Sequence, residues 1–291
     1  MSEIAREIAS QPACWRRAAE IGGREGATLP APGTRAAAVG CGTSWFIAQA
    51  YAALRGSLGG GETDAFTASE APLDRPYPTV VAISRSGTTT EVERYLQRVQ
   101  GPRRVAIVGV EGTPVAGAAD EVVPLAFADE RSVVQTRFAT SALAFLRASL
   151  GQDLGTAIAD AERALGLPLP VEAAAIDHFV FLGVGWSIGL ANEAALKLRE
   201  AAQAWTESYP AMEYRHGPIS VAGPRSLIWA LGEVDDGVLD AAAATGATVV
   251  GGELDPMAEL IVIQRMAVAL AEARGLNPDR PRHLTRSVVL S

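Results

Sequence analysis

The sequence predicts an α/β protein made of two halves, each a parallel β-sheet with helices on both faces. Two observations carry this. Short apolar runs alternate with Gly-rich turns and helical segments along most of the chain, the pattern of strand–loop–helix units. Gly40, Gly42 and Ser44 also recur as Gly183, Gly185 and Ser187 at a constant offset of 143, each set behind an apolar run and ahead of a helix. A G-x-G-x-S turn is a weak signal once; twice in one register it argues for an internal duplication. A length of 291 residues suits two domains.

In chain order, residues 3–22 read as one amphipathic helix with Ile4, Ile8, Trp15, Ala18 and Ile21 on its apolar side. A Gly/Pro-rich connector (23–34) leads to a strand at Ala36–Val39, the Gly40–Ser44 turn and a helix over Trp45–Arg55. Strands follow near Asp64–Thr67, Thr79–Ile83, Arg104–Val110 and Glu121–Pro124, and a long helix over Ser132–Leu150 closes the first half. After a short helix and the Leu165–Pro170 linker, the second half opens with the strand Phe179–Leu182 and a helix running to about Thr206. The Pro and Gly content of Ser208–Pro218 reads as a loop, and Leu227–Leu231 as a further strand. The tail Gly275–Ser291 is Pro- and Arg-rich, ends in the strand-like Ser287–Leu290, and is expected to pack over a site.

A net charge of −8 with no basic stripe argues against nucleic acid. Cys14 and Cys41 make neither a metal spacing nor a disulfide framework, so no metal or cofactor is expected. No run is long enough to cross a bilayer, and Met1–Glu7 lacks a signal-peptide core; a cytoplasmic location is the expectation. Of 25 basic residues 24 are arginine, and Lys197 is the one lysine. Against such a bias a retained lysine points to a need for a compact ammonium.

The stretch Ser84-Arg85-Ser86-Gly87-Thr88-Thr89-Thr90-Glu91 follows a β-branched run and precedes a helix. Thr88 and Glu91 have capping-box spacing. Unpaired N–H groups and the positive end of the dipole make such a helix start an anion site, to which hydroxyls and Arg85 would contribute. The alternative is a well-capped polar turn. The second half has Gly232–Asp236 in the matching place, whose acidic residues would repel phosphate.

At helical spacing Glu193, Lys197 and Glu200 share one stripe, flanked by Ala and Leu, while Asn192, Arg199 and Gln203 form a separate polar stripe. A surface ion-pair ladder is the plain meaning; the apolar flanks and the single lysine favour a partly buried functional stripe. His216, between Arg215 and Gly217-Pro218, is the histidine least easily explained as core, and His178 reads as structural. No nucleophile elbow, Walker loop or dinucleotide fingerprint is present. An anion loop with a Glu, a Lys and a His suits proton transfer next to a carbonyl on a phosphorylated sugar.

These motifs together resemble the double sugar isomerase (SIS) domain family, which includes the isomerase half of glucosamine-6-phosphate synthase. The resemblance runs through Gly40–Ser44, the loop at 84–89, Glu130–Thr140, Glu193–Glu200, Tyr209–Pro218 and Asn277–Val288. It implies two tandem flavodoxin-like (SIS) domains: an N-terminal helix (1–30), a phosphate-binding domain (31–155), a catalytic domain (165–275) and a tail (276–291). It implies phosphate and sugar contacts at Thr43, Ser44, Ser84, Arg85, Ser86, Thr89, Val133 (main chain), Thr285 and Arg286. Glu200 falls on the proton-shuttling carboxylate, Lys197 on the assisting lysine and His216 on the ring-opening histidine, which the family takes from a neighbouring subunit of at least a dimer.

Two departures stand out. No glutamine-hydrolysing domain with its N-terminal cysteine is expected here. Arg286 stands where synthase-like members carry an imine-forming lysine, and arginine forms no Schiff base. The expected function is therefore an aldose–ketose isomerase, or an aminosugar-phosphate isomerase or deaminase, acting between C1 and C2 of a hexose 6-phosphate. The alternatives are a non-catalytic phosphosugar sensor or a fructosamine-6-phosphate deglycase.

Overall fold

The computed structural model describes residues 2–290. In chain order its helices and strands are α1 (Glu3–Ala9), α2 (Gln11–Glu25), β1 (Ala36–Gly40), α3 (Thr43–Ser57), β2 (Thr63–Thr67), β3 (Thr79–Ser84), α4 (Thr90–Arg98), β4 (Arg103–Val108), α5 (Pro114–Gly117), β5 (Glu121–Pro124) and α6 (Arg137–Ser149). Then come α7 (Gly155–Gly166), β6 (His178–Gly183), α8 (Ser187–Ala202), β7 (Trp205–Pro210), β8 (Ser226–Leu231), α9 (Asp236–Ala243), β9 (Thr248–Gly251) and α10 (Pro256–Ala273). Two parallel sheets result, ordered β2-β1-β3-β4-β5 and β7-β6-β8-β9.

The chain divides into two compact units that interleave along the sequence. The first sheet lies in Ala13–Glu130, Gln135–Leu154 and Thr285–Ser291; the second lies in Met1–Pro12, Arg131–Val134 and Gly155–Leu284. The expected tail thus divides between them at Leu284.

In the first unit β1 and β3 are buried along their whole length, as a sheet covered on both faces requires. Val39, Val80, Ala82, Val92, Leu96 and Val108 form one core cluster. Trp15 of α2 is fully buried and donates Nε1–H to Thr140 Oγ1 of α6 at 2.9 Å. The Gly/Pro connector is pinned by the buried Arg55, whose guanidinium donates to the carbonyls of Ala31 (2.8 Å) and Thr34 (2.9 Å) and to Thr63 Oγ1 (2.8 Å). In the second unit β6 and β8 are the buried strands, and Val180, Leu182, Ile228, Ala230 and Val238 belong to one cluster.

Five expectations about elements are corrected. The single helix over 3–22 is two helices broken at Ser10, whose Oγ donates to Glu7 O; Pro12 then sits in the first turn of α2, where a missing N–H costs nothing. The helix expected from Ser132 begins at Arg137, because the Glu130 carboxylate accepts from the backbone N–H groups of Thr136 (2.6 Å) and Arg137 (2.8 Å) and holds the preceding turn open. The helix expected to reach Thr206 ends at Ala202, where Gln203 turns left-handed at φ 53°. Residues 208–210, read as loop, finish the strand β7; as an edge strand of intermediate burial it carries no apolar run to announce it. Ser287–Leu290 pair with no strand.

The two glycine turns share a matching geometry. A Cβ on Gly40 would lie 2.6 Å from the Ser44 backbone, and one on Gly183 2.6 Å from that of Ile188. Only glycine lets either helix start this close to its strand.

Candidate active site

In the first unit, β1 and β3 are neighbours and their connections diverge to β2 on one side and β4 on the other. The crevice outside the carboxyl ends of two such strands is where open α/β sheets bind ligands. The residues leaving those ends are Gly40–Ser44 and Ser84–Thr89. Ser44 lies in the first turn of α3, 4% exposed, and its hydroxyl has no partner among the described residues. Its counterpart Ser187 is committed: Oγ accepts from Val184 N at 2.8 Å and donates to Leu231 O at 2.6 Å.

The loop after β3 is tightly built. Ser84 Oγ accepts from Gly87 N at 3.2 Å, and Ser86 Oγ from Thr88 N at 3.1 Å. Gly87 has φ 66°, and a Cβ there would lie 2.0 Å from Thr113 Oγ1, so no other residue fits. Arg85 is 2% exposed. The helix α4 is capped at Thr89 with no side-chain bond, which corrects the Thr88–Glu91 capping box. Thr88 Oγ1 lies instead 2.9 Å from Ser287 Oγ, so the tail has taken the hydroxyl that a cap would use.

The tail completes this cradle. Arg85 donates to the Arg286 carbonyl, Ser287 Oγ lies 3.1 Å from Ser86 Oγ, Thr90 N donates to Val288 O at 3.2 Å, and Leu290 N donates to Thr90 Oγ1 at 2.9 Å. Thr285 Oγ1 donates to Ser287 O at 2.8 Å. The Arg286 guanidinium pairs with Asp129. Cys41, in the turn after β1, has its thiol pushed up to about 11 by burial.

In the second unit, α8 places Lys197 Nζ 2.5 Å from Glu200 Oε2 and 3.3 Å from Glu193 Oε1. Glu193 and Lys197 are fully buried, whereas the Glu200 side chain is 19% exposed. The stripe is therefore a buried ion-pair row with one carboxylate reaching the surface. The other polar stripe is not wholly solvated: Arg199 and Gln203 are exposed, but Asn192 accepts from Ser208 Oγ at 2.8 Å. His216 is exposed at the end of the 3-10 segment Ala211–His216. His178 is structural as expected, with Nδ1 3.0 Å from Ser226 Oγ and Nε2 3.1 Å from Glu207. Val133 donates its N–H to Asp279 O. The acidic run after β8 has a local use, since Asp235 caps α9 by accepting from Gly237 N.

The structure thus gathers Ser44, Ser84, Arg85, Ser86, Thr89, Thr285 and Arg286 in one unit, and Lys197, Glu200, His216 and Val133 in the other. Asp129, and the bonds by which Ser287 and Thr90 join the tail to the loop, escaped the sequence reading. Their partners lie up to 201 positions away, and no local signal marks them.

The fold is shared with known proteins. Over an alignment 311 positions long the chain is 28% identical to the isomerizing glutamine–fructose-6-phosphate aminotransferase of Caulobacter vibrioides, covering 87% of this chain and 51% of that one. This likeness agrees with the resemblance to the sugar isomerase (SIS) family. The chain spans about half the length of the curated relatives it matches. No protein-family model matches the chain. The likeness in fold extends over nearly all of it: a glucosamine-6-phosphate deaminase of Thermotoga maritima superposes with a TM-score of 0.85 at 23% identity, covering 99% of this chain and 100% of that one. The tagatose-6-phosphate ketose/aldose isomerase of Escherichia coli gives 0.78 at 20% identity, with 98% and 95% covered.

Proposed function

We propose that this protein is a phosphosugar enzyme of the SIS family, an aldose–ketose isomerase or an aminosugar-phosphate isomerase or deaminase, made of two tandem flavodoxin-like copies. The relatives named above act on fructose 6-phosphate, glucosamine 6-phosphate and tagatose 6-phosphate, which supports a hexose or aminohexose 6-phosphate as substrate. The observation that carries the reading is the Lys197–Glu200 pair, a buried ammonium 2.5 Å from a carboxylate that reaches the surface.

In this reading Ser44 and the hydroxyls of 84–89 hold the phosphate, with Arg85 adding charge. His216 opens the ring. Glu200 takes the C2 proton of the open-chain aldose, and the electron pair forms the C1–C2 double bond while the C1 oxygen becomes an enediolate. Lys197 meets that developing charge. Glu200 then returns the proton to C1, and the hydroxyl proton of O2 passes to O1, giving the ketose. The tail offers no amine to form an imine, because Arg286 stands there and pairs with Asp129. That pairing favours isomerase chemistry over a synthase-like reaction. It also supports the second reading, a phosphosugar binder without turnover.

Deuterium exchange at C2 of hexose and aminohexose 6-phosphates in heavy water decides between them. An isomerase exchanges C2 and loses the exchange in Glu200→Gln; a binder exchanges nothing. Exchange that survives Glu200→Gln removes Glu200 from its role. We further assign the protein to a homodimer in which His216 serves the neighbouring subunit. Mixing His216→Ala with Glu200→Gln subunits then restores activity in mixed dimers, because one of their sites is intact.

A further inference from the structure

The end of α7 and the linker after it share their side chains between two grooves, both on the unit that holds the second sheet. Leu167, Pro168 and Pro170 line one, and Leu165 and Leu169 line the other. The second groove measures about 520 Å³, in the range of small-molecule sites, and α1 and α10 supply the rest of its walls. We propose that it binds an apolar monocarboxylate, with the tail along Leu165, Leu169 and Val268 and the carboxylate on the fork of Arg265. The phosphosugar reading plays no part in this assignment.

The walls are apolar for local reasons. Pro168 and Pro170 carry no N–H, so the linker leaves fewer backbone donors to satisfy where it runs outside helix and sheet. Ile8 and Val268 are buried, and Leu165 and Leu169 are half-buried. Ala5 and Ala269 also line the groove, and their single methyl groups leave the volume that longer side chains would fill.

Arg265 is only half used by the fold. Its Nη1 donates to the carbonyls of Ala164 (2.6 Å) and Leu167 (2.7 Å), which serves the end of α7. Nε and Nη2 have no partner among the described residues, and no carboxylate among them pairs with this guanidinium. Burial pulls its pKa below the ordinary arginine value, with no opposite charge to offset the lost water. The two Nη1 bonds orient the plane, so Nε and Nη2 form a preset fork of the kind that takes a carboxylate bidentately.

The rest of the lining selects the ligand's body. Beyond Arg265 the polar side chains in the groove are Ser2 and Glu272, too few to replace the water around a sugar's hydroxyls. Glu272 stands seven residues further along α10, about 10 Å in helical rise, and repels a second carboxylate at that end. One carboxylate with an apolar tail satisfies both conditions.

The test uses the full chain with sodium octanoate below its micellar range, read by calorimetry and melting temperature. One octanoate per chain is expected to bind and to raise the melting temperature. 1-Octanol should bind about tenfold more weakly for want of the charge, and acetate not measurably for want of the tail. Arg265→Gln should erase the preference for octanoate over octanol. That variant also loosens the end of α7, so Ala269→Leu is the second: it fills the groove and keeps a good helix former. It should weaken octanoate about tenfold while the free protein melts near wild type. If the wild type binds no octanoate, or Ala269→Leu binds it as wild type does, the groove is not the site and the proposal falls. If octanol matches octanoate in the wild type, the assignment of a carboxylate to Arg265 is overturned.

Discussion

Ser44 and Ser187 occupy equivalent turns at the starts of α3 and α8, and their hydroxyls have opposite fates. Ser187 bonds the backbone of its own unit at both Val184 and Leu231, while Ser44 keeps its hydroxyl uncommitted. One copy of the turn has become structure and the other has stayed available to a ligand.

Substitution at the two positions should therefore separate stability from binding. Ser187→Ala leaves the buried Leu231 carbonyl without this donor and is expected to cost about 1–3 kcal/mol, seen as a lower melting temperature. Ser44→Ala should leave the melting temperature near wild type and weaken phosphate binding. Equal melting temperatures for the two variants would show that the Ser187 bonds contribute nothing.

The ion-pair row on α8 makes a second prediction. Lys197→Met leaves Glu193, fully buried at 3.3 Å from the lost ammonium, without that cation. Breaking a buried pair in this way costs roughly 3–5 kcal/mol. Replacing both members, Glu193→Leu with Lys197→Met, should recover most of it, because an apolar pair of similar volume carries no desolvation cost. Denaturant unfolding of the single and double variants measures this. Proton-transfer activity should be lost in both.

Acid sensitivity has an identifiable contributor at the β4–β5 edge. The Arg104 guanidinium and backbone N–H hold the Asp120 carboxyl down to about 2. A depressed carboxyl contributes stability above its unfolded value and loses it as pH falls through the folded one. Asp120→Asn should thus lower stability at neutral pH and shrink the loss between about pH 4 and pH 2. Matching pH–stability curves for variant and wild type would remove Asp120 from the account.

Cys41 should be inert under ordinary labelling conditions. Its thiol, pushed up to about 11, stays protonated at neutral pH, and the thiolate is the nucleophile. Native alkylation by iodoacetamide, followed by mass spectrometry, should become appreciable only in strongly alkaline buffer. Rapid labelling near pH 8 would mean that the turn after β1 opens readily.

Much of this arrangement was legible in the sequence because it is local. The repeated glycines mark close approaches that the structure shows at Gly40 and Gly183, and the lone lysine did lie in a buried row. What was missed depends on distant partners or on edges. β7 lacks a long apolar run, the helix expected at Ser132 waits for the Glu130 cap to release it at Arg137, and Thr88 serves Ser287 instead of capping a helix. Nothing near Asp129 announces a bond to Arg286, because 157 positions separate them.

The interleaving of the units also sets an order of events during synthesis. The first sheet and its anion loop belong to residues made before position 155, but the tail that fastens onto Arg85, Ser86, Thr88 and Thr90 emerges only after residues 155–284, which belong to the other unit. A nascent chain can therefore hold a folded first sheet while its cradle is still unfinished. The bonds between residues 286–290 and the 84–90 loop can form only once the residues of the second unit have been made.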